Sequence, residues 1–283
     1  FVSYLEWVTV ITSMFGQYLT NLRQTEVSLD RLAALVDAPD PAAVIVRSRP
    51  VHLMADPPPV PQPRRTADDA LTTLAVRGLT VRWPDGSIGI EGVDLDLAGG
   101  TVTVVTGPIG AGKTTLLRAL LGLLPADGGD IRWNGRRVEA PAMWFVPPRC
   151  AYTPQAPRLF AETLRDNILL GLAADDAALT TALHRAVLDA DVAAMPDGLA
   201  TRLGARGTRL SGGQVQRAAA ARMLVREPSL LVFDDLSSAL DVESEAALWD
   251  RLLAIRGRTI LAVASRRAAL QHADQILVFD AGR

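Results

Sequence analysis

One segment of the sequence has the spacing of a phosphate-binding loop. Residues 107–114 read Gly-Pro-Ile-Gly-Ala-Gly-Lys-Thr, which fits the pattern G-x-x-x-x-G-K-[ST]. An apolar run at 102–106 precedes the loop and a helical pattern follows it, so N–H groups and a helix N-terminus converge on an anion. We expect Lys113 to hold the β- and γ-phosphates of a nucleotide and the Thr114 hydroxyl to bind Mg²⁺. The predicted nucleotide-binding residues here are Gly107, Gly110, Gly112, Lys113, Thr114 and Thr115.

Two adjacent carboxylates follow a second apolar strand. The run Leu230–Phe233 leads directly into Asp234 and Asp235. Nucleoside triphosphatases hold Mg²⁺ with a carboxylate at the end of a strand beside the phosphate loop. We therefore assign Asp234 to the metal and Asp235 to the positioning of an attacking water. Taken alone, the pair is equally compatible with an exposed acidic turn.

A third segment places a glycine turn and a serine at the start of a helix. Residues 210–214 read Leu-Ser-Gly-Gly-Gln, and a helical pattern at Val215–Arg222 follows at once. The Ser211 hydroxyl and the N–H groups again suit an anion, far in sequence from Lys113. This segment resembles the signature motif of the ABC family, and the resemblance extends over residues 74–283.

The resemblance implies that two nucleotide domains work together. In the ABC family two such domains pack head to tail, and the signature of one closes over the ATP held by the other. The signature residues Ser211, Gly212, Gly213 and Gln214 would therefore contact a partner's ATP. The phosphate loop would bind this chain's own ATP and Mg²⁺.

Three further positions receive roles from the resemblance. Trp83 matches the aromatic residue that stacks on adenine, although the residue alone equally suits a half-buried strand. Gln155 matches the Q-loop glutamine that senses Mg²⁺ and the γ-phosphate, which adds it to Thr114 and Asp234 on the metal side. Residues 238–241 match the D-loop, which touches the opposite site, and otherwise predict a common helix N-cap.

Two catalytic positions depart from the family pattern. The family has Glu after the metal-side Asp, whereas this chain has Asp235, which is shorter by one C–C bond of about 1.5 Å. A displacement of ~1 Å can cost on the order of 10²-fold in rate. The switch histidine is replaced by Ser265, whose hydroxyl is too short to bridge to a γ-phosphate as an imidazole does. We therefore interpret Asp235, Ser265 and Gln155 as the catalytic residues of a slow site.

The elements that must position these residues follow an α/β pattern. Strands are predicted at 74–83, 102–106, 230–233, 259–263 and 276–279, and helical patterns follow Gly112, Gln214, Val242 and Arg267. This alternation predicts a largely parallel sheet covered on both faces. Residues 161–206 have no strand signal and predict a helical insertion. The expected fold is α/β, a P-loop nucleotide-binding domain to which the resemblance adds an antiparallel N-terminal β part.

The residues before this pattern differ in composition. Residues 1–20 carry many large apolar side chains and one charge, and the helical period continues to residue 36. Segment 1–36 resembles the end of the last membrane helix of exporters with its cytosolic extension, although hydropathy alone also suits a buried amphipathic helix. The proline-rich segment 37–73 predicts a linker, and 74–283 predicts the nucleotide-binding domain. We expect the native protein to continue past both termini.

Composition argues against other classes of function. The 29 basic and 31 acidic residues give a net charge of -2, without the basic excess of nucleic-acid-binding proteins. A single cysteine, Cys150, excludes an internal disulfide, and with three scattered histidines it cannot form a zinc site. Nucleic acid is therefore not expected among the partners.

The resemblance, with its two departures from the family pattern, implies one half of a heterodimeric ABC exporter in the cell membrane, anchored through its own transmembrane domain, with the nucleotide-binding domain in the cytoplasm. Its own site would bind ATP and hydrolyse it slowly, while its signature would complete a competent site in the second half-transporter. The alternatives are an active homodimeric exporter, a soluble ABC protein without transport and a regulator that responds to ATP binding alone. The transported substrate does not follow from these residues.

Overall fold

Two compact units make up the chain, which divides between Pro59 and Val60. The computed structural model describes residues 2–36, 64–204, 210–236 and 239–283. The described part of the first unit is the 35-residue helix α1 (Val2–Val36), along which most large apolar side chains are exposed. None of the helices in the described ranges combines the length and the apolarity that crossing a membrane requires.

The predicted linker falls mainly outside the described ranges, which exclude residues 37–63. The remaining part contains a 3₁₀ helix at Ala67–Asp69, where Thr66 and Asp69 form a capping box. Asp69 is buried, and its carboxylate lies 2.8 Å from the Arg149 guanidinium. This ion pair attaches the segment to the body of the second unit.

Strands and helices alternate through the described part of the second unit. The strands are β1 (Thr73–Arg82), β2 (Ile88–Ala98), β3 (Val102–Thr106), β4 (Gly128–Trp133), β5 (Arg136–Arg137), β6 (Cys150–Thr153), β7 (Leu230–Asp234), β8 (Thr259–Val263) and β9 (Gln275–Val278). The helices are α2 (Lys113–Leu120), α3 (Pro141–Trp144), α4 (Leu164–Leu169), α5 (Asp176–Arg185), α6 (Asp189–Ala194), α7 (Gly212–Leu224), α8 (Val242–Leu253) and α9 (Arg267–Gln271).

A five-stranded sheet forms the centre of this unit. Its order is β6–β7–β8–β3–β9, and each neighbouring pair is parallel. Alternate residues of β7 enter two different cores: Leu231 and Phe233 pack with α4, α5, α7 and α8, whereas Leu230 and Val232 pack with α2 and the other sheet. The predicted parallel sheet, covered on both faces, is therefore confirmed.

A second sheet is antiparallel, in the order β2–β1–β4–β5. Along β1 the side chains of Leu74, Val76, Leu79 and Val81 are buried, which places its apolar face on the core. This sheet confirms the antiparallel β part that the family resemblance implied. Strands β2, β4, β5 and β6 had not been predicted individually.

The predicted helical insertion contains α4, α5, α6 and a 3₁₀ helix at Gly198–Ala200, and its last two residues lie outside the described ranges. Two arginines, Arg222 on α7 and Arg226 just beyond its end, hold the C-terminal end of α4, where carbonyl groups have no partner within the helix. Arg222 donates from Nε to the Asn167 carbonyl at 2.7 Å, and Arg226 donates to the carbonyls of Ile168 and Leu169. The insertion is thereby attached directly to α7.

Asn167 stabilises the segment that leads into this insertion, and its contribution to the free energy of unfolding can be measured. Its buried amide accepts from the Phe160 N–H at 2.7 Å and donates to the Phe160 carbonyl at 3.0 Å. We expect Asn167→Leu to destabilise the chain by about 1–3 kcal/mol for each buried polar group that loses its partner. Chemical denaturation measures this loss.

A control for this prediction lies on the same helix. Arg165 pairs with Asp176 at the surface, where ion pairs contribute less than about 1 kcal/mol. Arg165→Ala should therefore change the free energy of unfolding very little. Equal losses for the two variants would contradict the role given to Asn167.

Candidate functional site

The loop between β3 and α2 has a backbone that depends on its glycines. Gly107, Gly110 and Gly112 have φ values of 140°, 84° and 101°, which residues with a side chain rarely adopt. A Cβ atom on Gly107 would lie 2.0 Å from the Phe279 carbonyl oxygen, and one on Gly112 would lie 2.8 Å from the Gly89 carbonyl oxygen. The close approach of other backbone segments therefore excludes a side chain at these two positions.

Lys113 provides the positive charge of the loop. Its ammonium group donates to the carbonyl oxygens of Gly107 at 2.8 Å and Pro108 at 2.7 Å, so it lies across the loop. Among the 29 basic residues of the chain it is the only lysine. A compact charge with three donors, next to the N-terminus of α2, suits a phosphate group.

A cavity of about 250 Å³ joins this loop to Trp83. Its lining residues are Trp83, Ile88, Gly89, Gly110, Gly112, Lys113, Thr114 and Thr115. Gly89 allows the indole to approach, because a Cβ there would lie 3.0 Å from Trp83 Nε1. The structure thus brings together six of the residues predicted from the sequence. It adds Ile88 and Gly89, which line the cavity only because β2 folds beside the loop.

The C-terminal turn supports the same loop from behind. The Gly282 N–H donates to the Ala111 carbonyl at 3.0 Å, and the Gly282 carbonyl accepts from the Glu91 N–H at 2.9 Å. Arg283 and Glu91 form an ion pair with a separation of 2.6 Å. These contacts link β2, the loop and the turn, and no local sequence signal indicated them.

Asp234 lies at the end of β7, within reach of the loop. The Thr114 hydroxyl donates to Asp234 Oδ1 at 3.1 Å, and the Tyr152 hydroxyl donates to Oδ2 at 3.4 Å. Burial raises the pKa of the Asp234 carboxyl, while the Thr114 hydrogen bond and the charge of Arg118 oppose that rise. The structure therefore places two of the three predicted metal-side residues, Thr114 and Asp234, in direct contact.

The donor set suits Mg²⁺ when phosphate oxygens complete it. Thr114, Asp234 and Gln155 offer a hydroxyl, a carboxylate and an amide oxygen, the hard ligands that Mg²⁺ prefers. Within the described ranges, no group of three or more His, Cys, Asp or Glu side chains is arranged so that it could hold a metal ion by itself. Most of the coordination would therefore come from the nucleotide and water, as is usual where Mg²⁺ is bound together with phosphates.

Asp235 and Gln155 meet beside Asp234. Gln155 donates from Nε2 to Asp235 Oδ2 at 3.3 Å, and the Asp235 N–H donates to the Val263 carbonyl at 2.9 Å. Asp235 has a φ of 54°, in the left-handed region that few non-glycine residues occupy. Ser265 is exposed just beyond the end of β8. The carboxyl ends of these parallel strands therefore bring the predicted catalytic positions to one edge of the sheet.

The signature segment forms a closed cap on α7. The helix begins at Gly212, three residues before the predicted helical pattern at Val215, because Ser211 and Gln214 form a capping box. Ser211 is exposed, and a Cβ on Gly213 would lie 3.1 Å from the Ala239 carbonyl oxygen. None of the four signature residues lines the cavity of the phosphate loop.

Gln216 connects three predicted regions, although its role was missed from the sequence. Its buried side chain accepts from the Ala239 N–H at 3.0 Å and donates to the Gln155 carbonyl at 3.5 Å. One residue of α7 thus contacts both the Q-loop and the D-loop. Ser238, the first residue of the predicted D-loop, lies outside the described ranges, and Asp241 caps α8 by accepting from the Ser244 N–H at 2.8 Å.

Comparisons with known proteins identify relatives of the chain. A family model described as ABC transporter matches residues 90–238. The mycobactin import ATP-binding/permease protein IrtB of Mycolicibacterium thermoresistibile is 36% identical over 267 residues, which cover 93% of this chain and 42% of IrtB. An ATP-dependent lipid A-core flippase of Xanthomonas oryzae pv. oryzae is 36% identical over 218 residues, 74% of this chain and 36% of the flippase.

A solved structure extends the likeness to the fold. A bacterial Atm1-family ABC exporter with ATP bound superposes with a TM-score of 0.77 and 28% identity, over 95% of this chain and 45% of that chain. The chain spans less than half the length of each of these relatives. The family match includes the phosphate loop, Gln155, the signature and both carboxylates at the end of β7. The chain therefore belongs to the ABC transporter family, and the fold predicted from its sequence, a nucleotide-binding domain of that family preceded by a helix, is confirmed.

Proposed function

We propose that this chain is the ATP-binding motor of an exporter-type ABC transporter and forms one half of a heterodimer. The observation that carries this proposal is that two sites suited to an anion lie apart from each other. One is the cavity of Trp83 and the phosphate loop, and the other is the capped N-terminus of α7, whose residues do not line that cavity. A domain built in this way is suited to close over the ATP of a second, equivalent domain.

In this proposal the chain's own residues hold ATP from both ends. Trp83 stacks on the adenine, and the Lys113 ammonium exchanges its carbonyl acceptors in the loop for the β- and γ-phosphates. The Thr114 hydroxyl and Asp234, which are already in contact, would hold Mg²⁺. When bound, this ion offsets the negative charge on the phosphate oxygens.

The same residues support slow hydrolysis at this site. The Asp235 carboxylate is one methylene shorter than the usual Glu, and Gln155 already donates to one of its oxygens. The shorter side chain must orient the water from further away, which weakens general-base catalysis because that depends on hydrogen-bond distance. Ser265 provides no imidazole to contact the γ-phosphate. Binding of ATP, rather than its turnover, is then the main contribution of this site.

The assembly we propose has its motor domain on the cytoplasmic face of the cell membrane. Residues 1–36 would form the end of the last membrane helix with its extension, 37–73 a linker, and 74–283 the motor, with a helical insertion at about 161–206. The relatives include a mycobactin import protein and an ATP-dependent lipid A-core flippase, so their names alone do not fix the direction of transport. The likeness to an Atm1-family exporter supports the exporter-type assembly.

The first test of this proposal concerns ATP binding. Lys113→Ala should abolish binding of a fluorescent ATP analogue, because it removes the charge that neutralises the β- and γ-phosphates. Arg137→Ala is the control, since this exposed residue pairs with Asp130 in the antiparallel sheet and does not line the cavity. Unchanged binding by Lys113→Ala would overturn the assignment of the loop.

The second test concerns the adenine. Trp83→Ala should weaken ATP binding by about 1–3 kcal/mol, the usual contribution of a base stacked on an aromatic side chain. Trp144→Ala is the matched control, because this tryptophan contacts the guanidinium groups of Arg136 and Arg149 and does not line the cavity. If both variants bound ATP equally well, Trp83 would have only a structural role.

The third test separates the two sites in the complex with the partner half-transporter. Ser211→Arg should stop most ATP hydrolysis, because a bulky cation replaces the donors that meet the partner's γ-phosphate. Asp235→Asn should lower the total rate only slightly, because it affects a site that already contributes little. Steady-state turnover of both complexes measures the difference. The opposite ranking would show that Asp235 is a working base and that the two sites are not divided in this way.

A further inference from the structure

A carboxylate of the helical insertion contacts the signature from the side. Asp191, on α6, accepts from Gln214 Nε2 at 2.9 Å through Oδ1 and from Arg217 Nη2 at 2.7 Å through Oδ2. The Asp191 side chain is 20% exposed and that of Arg217 is 11% exposed. An ion pair so shielded from water holds its geometry more firmly than a surface pair does.

This contact determines which way the Gln214 amide points. A carboxylate can only accept hydrogen bonds, so the amide nitrogen must face Asp191. The amide oxygen is then directed to Ser211, where it accepts from the backbone N–H at 2.9 Å. With the amide reversed, its N–H₂ group would meet the Ser211 N–H, and two donors would oppose each other. Asp191 therefore selects the orientation that closes the capping box.

The closed box in turn determines how the Ser211 hydroxyl can act. Its oxygen accepts from the Gln214 N–H at 3.3 Å, so the hydroxyl proton is directed away from the helix. Ser211 is exposed, and it stands at the positive end of the 13-residue helix α7. An anion that approaches the helix end thus meets a hydrogen-bond donor.

Arg217 offsets the negative charge that Asp191 brings near the signature. Asp191 is linked to Ser211 through Gln214, and without a cationic partner its carboxylate would repel an anion bound there. Arg217 neutralises Asp191 directly, and its charge also contributes to lowering the pKa of Asp241 behind the signature, after the larger effect of the Ser244 hydrogen bonds. The pair can therefore orient Gln214 without adding net negative charge beside the signature.

We propose that Asp191 is a positioning residue of the signature: paired with Arg217, it orients Gln214 so that Ser211 presents a hydroxyl donor to the γ-phosphate of ATP in the partner's site. This inference rests on the proposed function, in which the signature serves the partner. It assigns to the helical insertion a direct part in shaping the phosphate contact.

The test uses the complete complex of the chain with its partner half-transporter. Asp191→Asn should lower ATP turnover by roughly 10-fold, below the 10²–10³-fold that removal of a transition-state donor typically costs. In a complex that already carries Ser211→Ala, the same change should have no further effect, because both act through one hydroxyl. Asp189→Asn, two residues earlier on α6, is the matched control, since this carboxylate contacts His184 and Arg251 instead.

A second measurement distinguishes positioning from a merely structural role. In a complex whose phosphate loop in this chain carries Lys113→Ala, nucleotide binding reports on the partner's site. There Asp191→Asn should weaken ATP binding several-fold and leave ADP binding unchanged, because ADP has no γ-phosphate. Thermal unfolding of each variant shows whether the fold is intact.

The outcomes separate the inference from the proposal on which it rests. If Ser211→Ala alone leaves turnover unchanged, the signature does not serve the partner and the proposed function fails. If Ser211→Ala lowers turnover but Asp191→Asn does not, the inference about Asp191 is overturned. It is also overturned if the two changes are additive or if ATP and ADP binding weaken equally, since either result indicates a general structural effect.

Discussion

The phosphate loop has its shape because backbone from two distant segments fills the space beside its glycines. The Phe279 carbonyl occupies the place of a side chain on Gly107, and the Gly89 carbonyl approaches the same place on Gly112. Both contacts form only when β2 and the segment that follows β9 lie beside the loop. The direction of Lys113, and of the N-terminus of α2 that begins with it, depends on this packing.

The parallel sheet provides the second level of organisation. Strands β3, β6, β7 and β8 are parallel and adjacent or nearly so, and their carboxyl ends meet at one edge. Residues that are distant in sequence, such as Thr114 and Asp234, therefore come within hydrogen-bond distance. Burial at this edge makes the Asp234 charge unfavourable by itself, and a bound cation with its phosphates would offset that cost.

The sequence predicted those parts of the site that local patterns encode. A phosphate loop, an apolar strand ending in Asp and a Ser-Gly-Gly-Gln helix start each carry their information within about ten residues. Gly89, Gln216 and Asp191 could not be recognised in this way, because their significance comes from contacts with segments far along the chain. Strand β6 was missed for a similar reason, since it has only four residues and pairing with β7 rather than its own composition makes it a strand. Strand β2 does carry a local signal that was not used, because buried Val93, Leu95 and Leu97 alternate with exposed residues.

The phosphate loop contains the single lysine of the sequence, Lys113. The other 28 Lys and Arg residues are all arginines. A guanidinium is therefore sufficient in this chain wherever a positive charge lies at the surface or in an ion pair. At the loop, a planar fork with five donors could not replace a compact ammonium that lies between two carbonyls 2.8 and 2.7 Å away. An acylating reagent therefore meets only one side-chain amine within residues 1–283, and that amine is the one a bound nucleotide would cover.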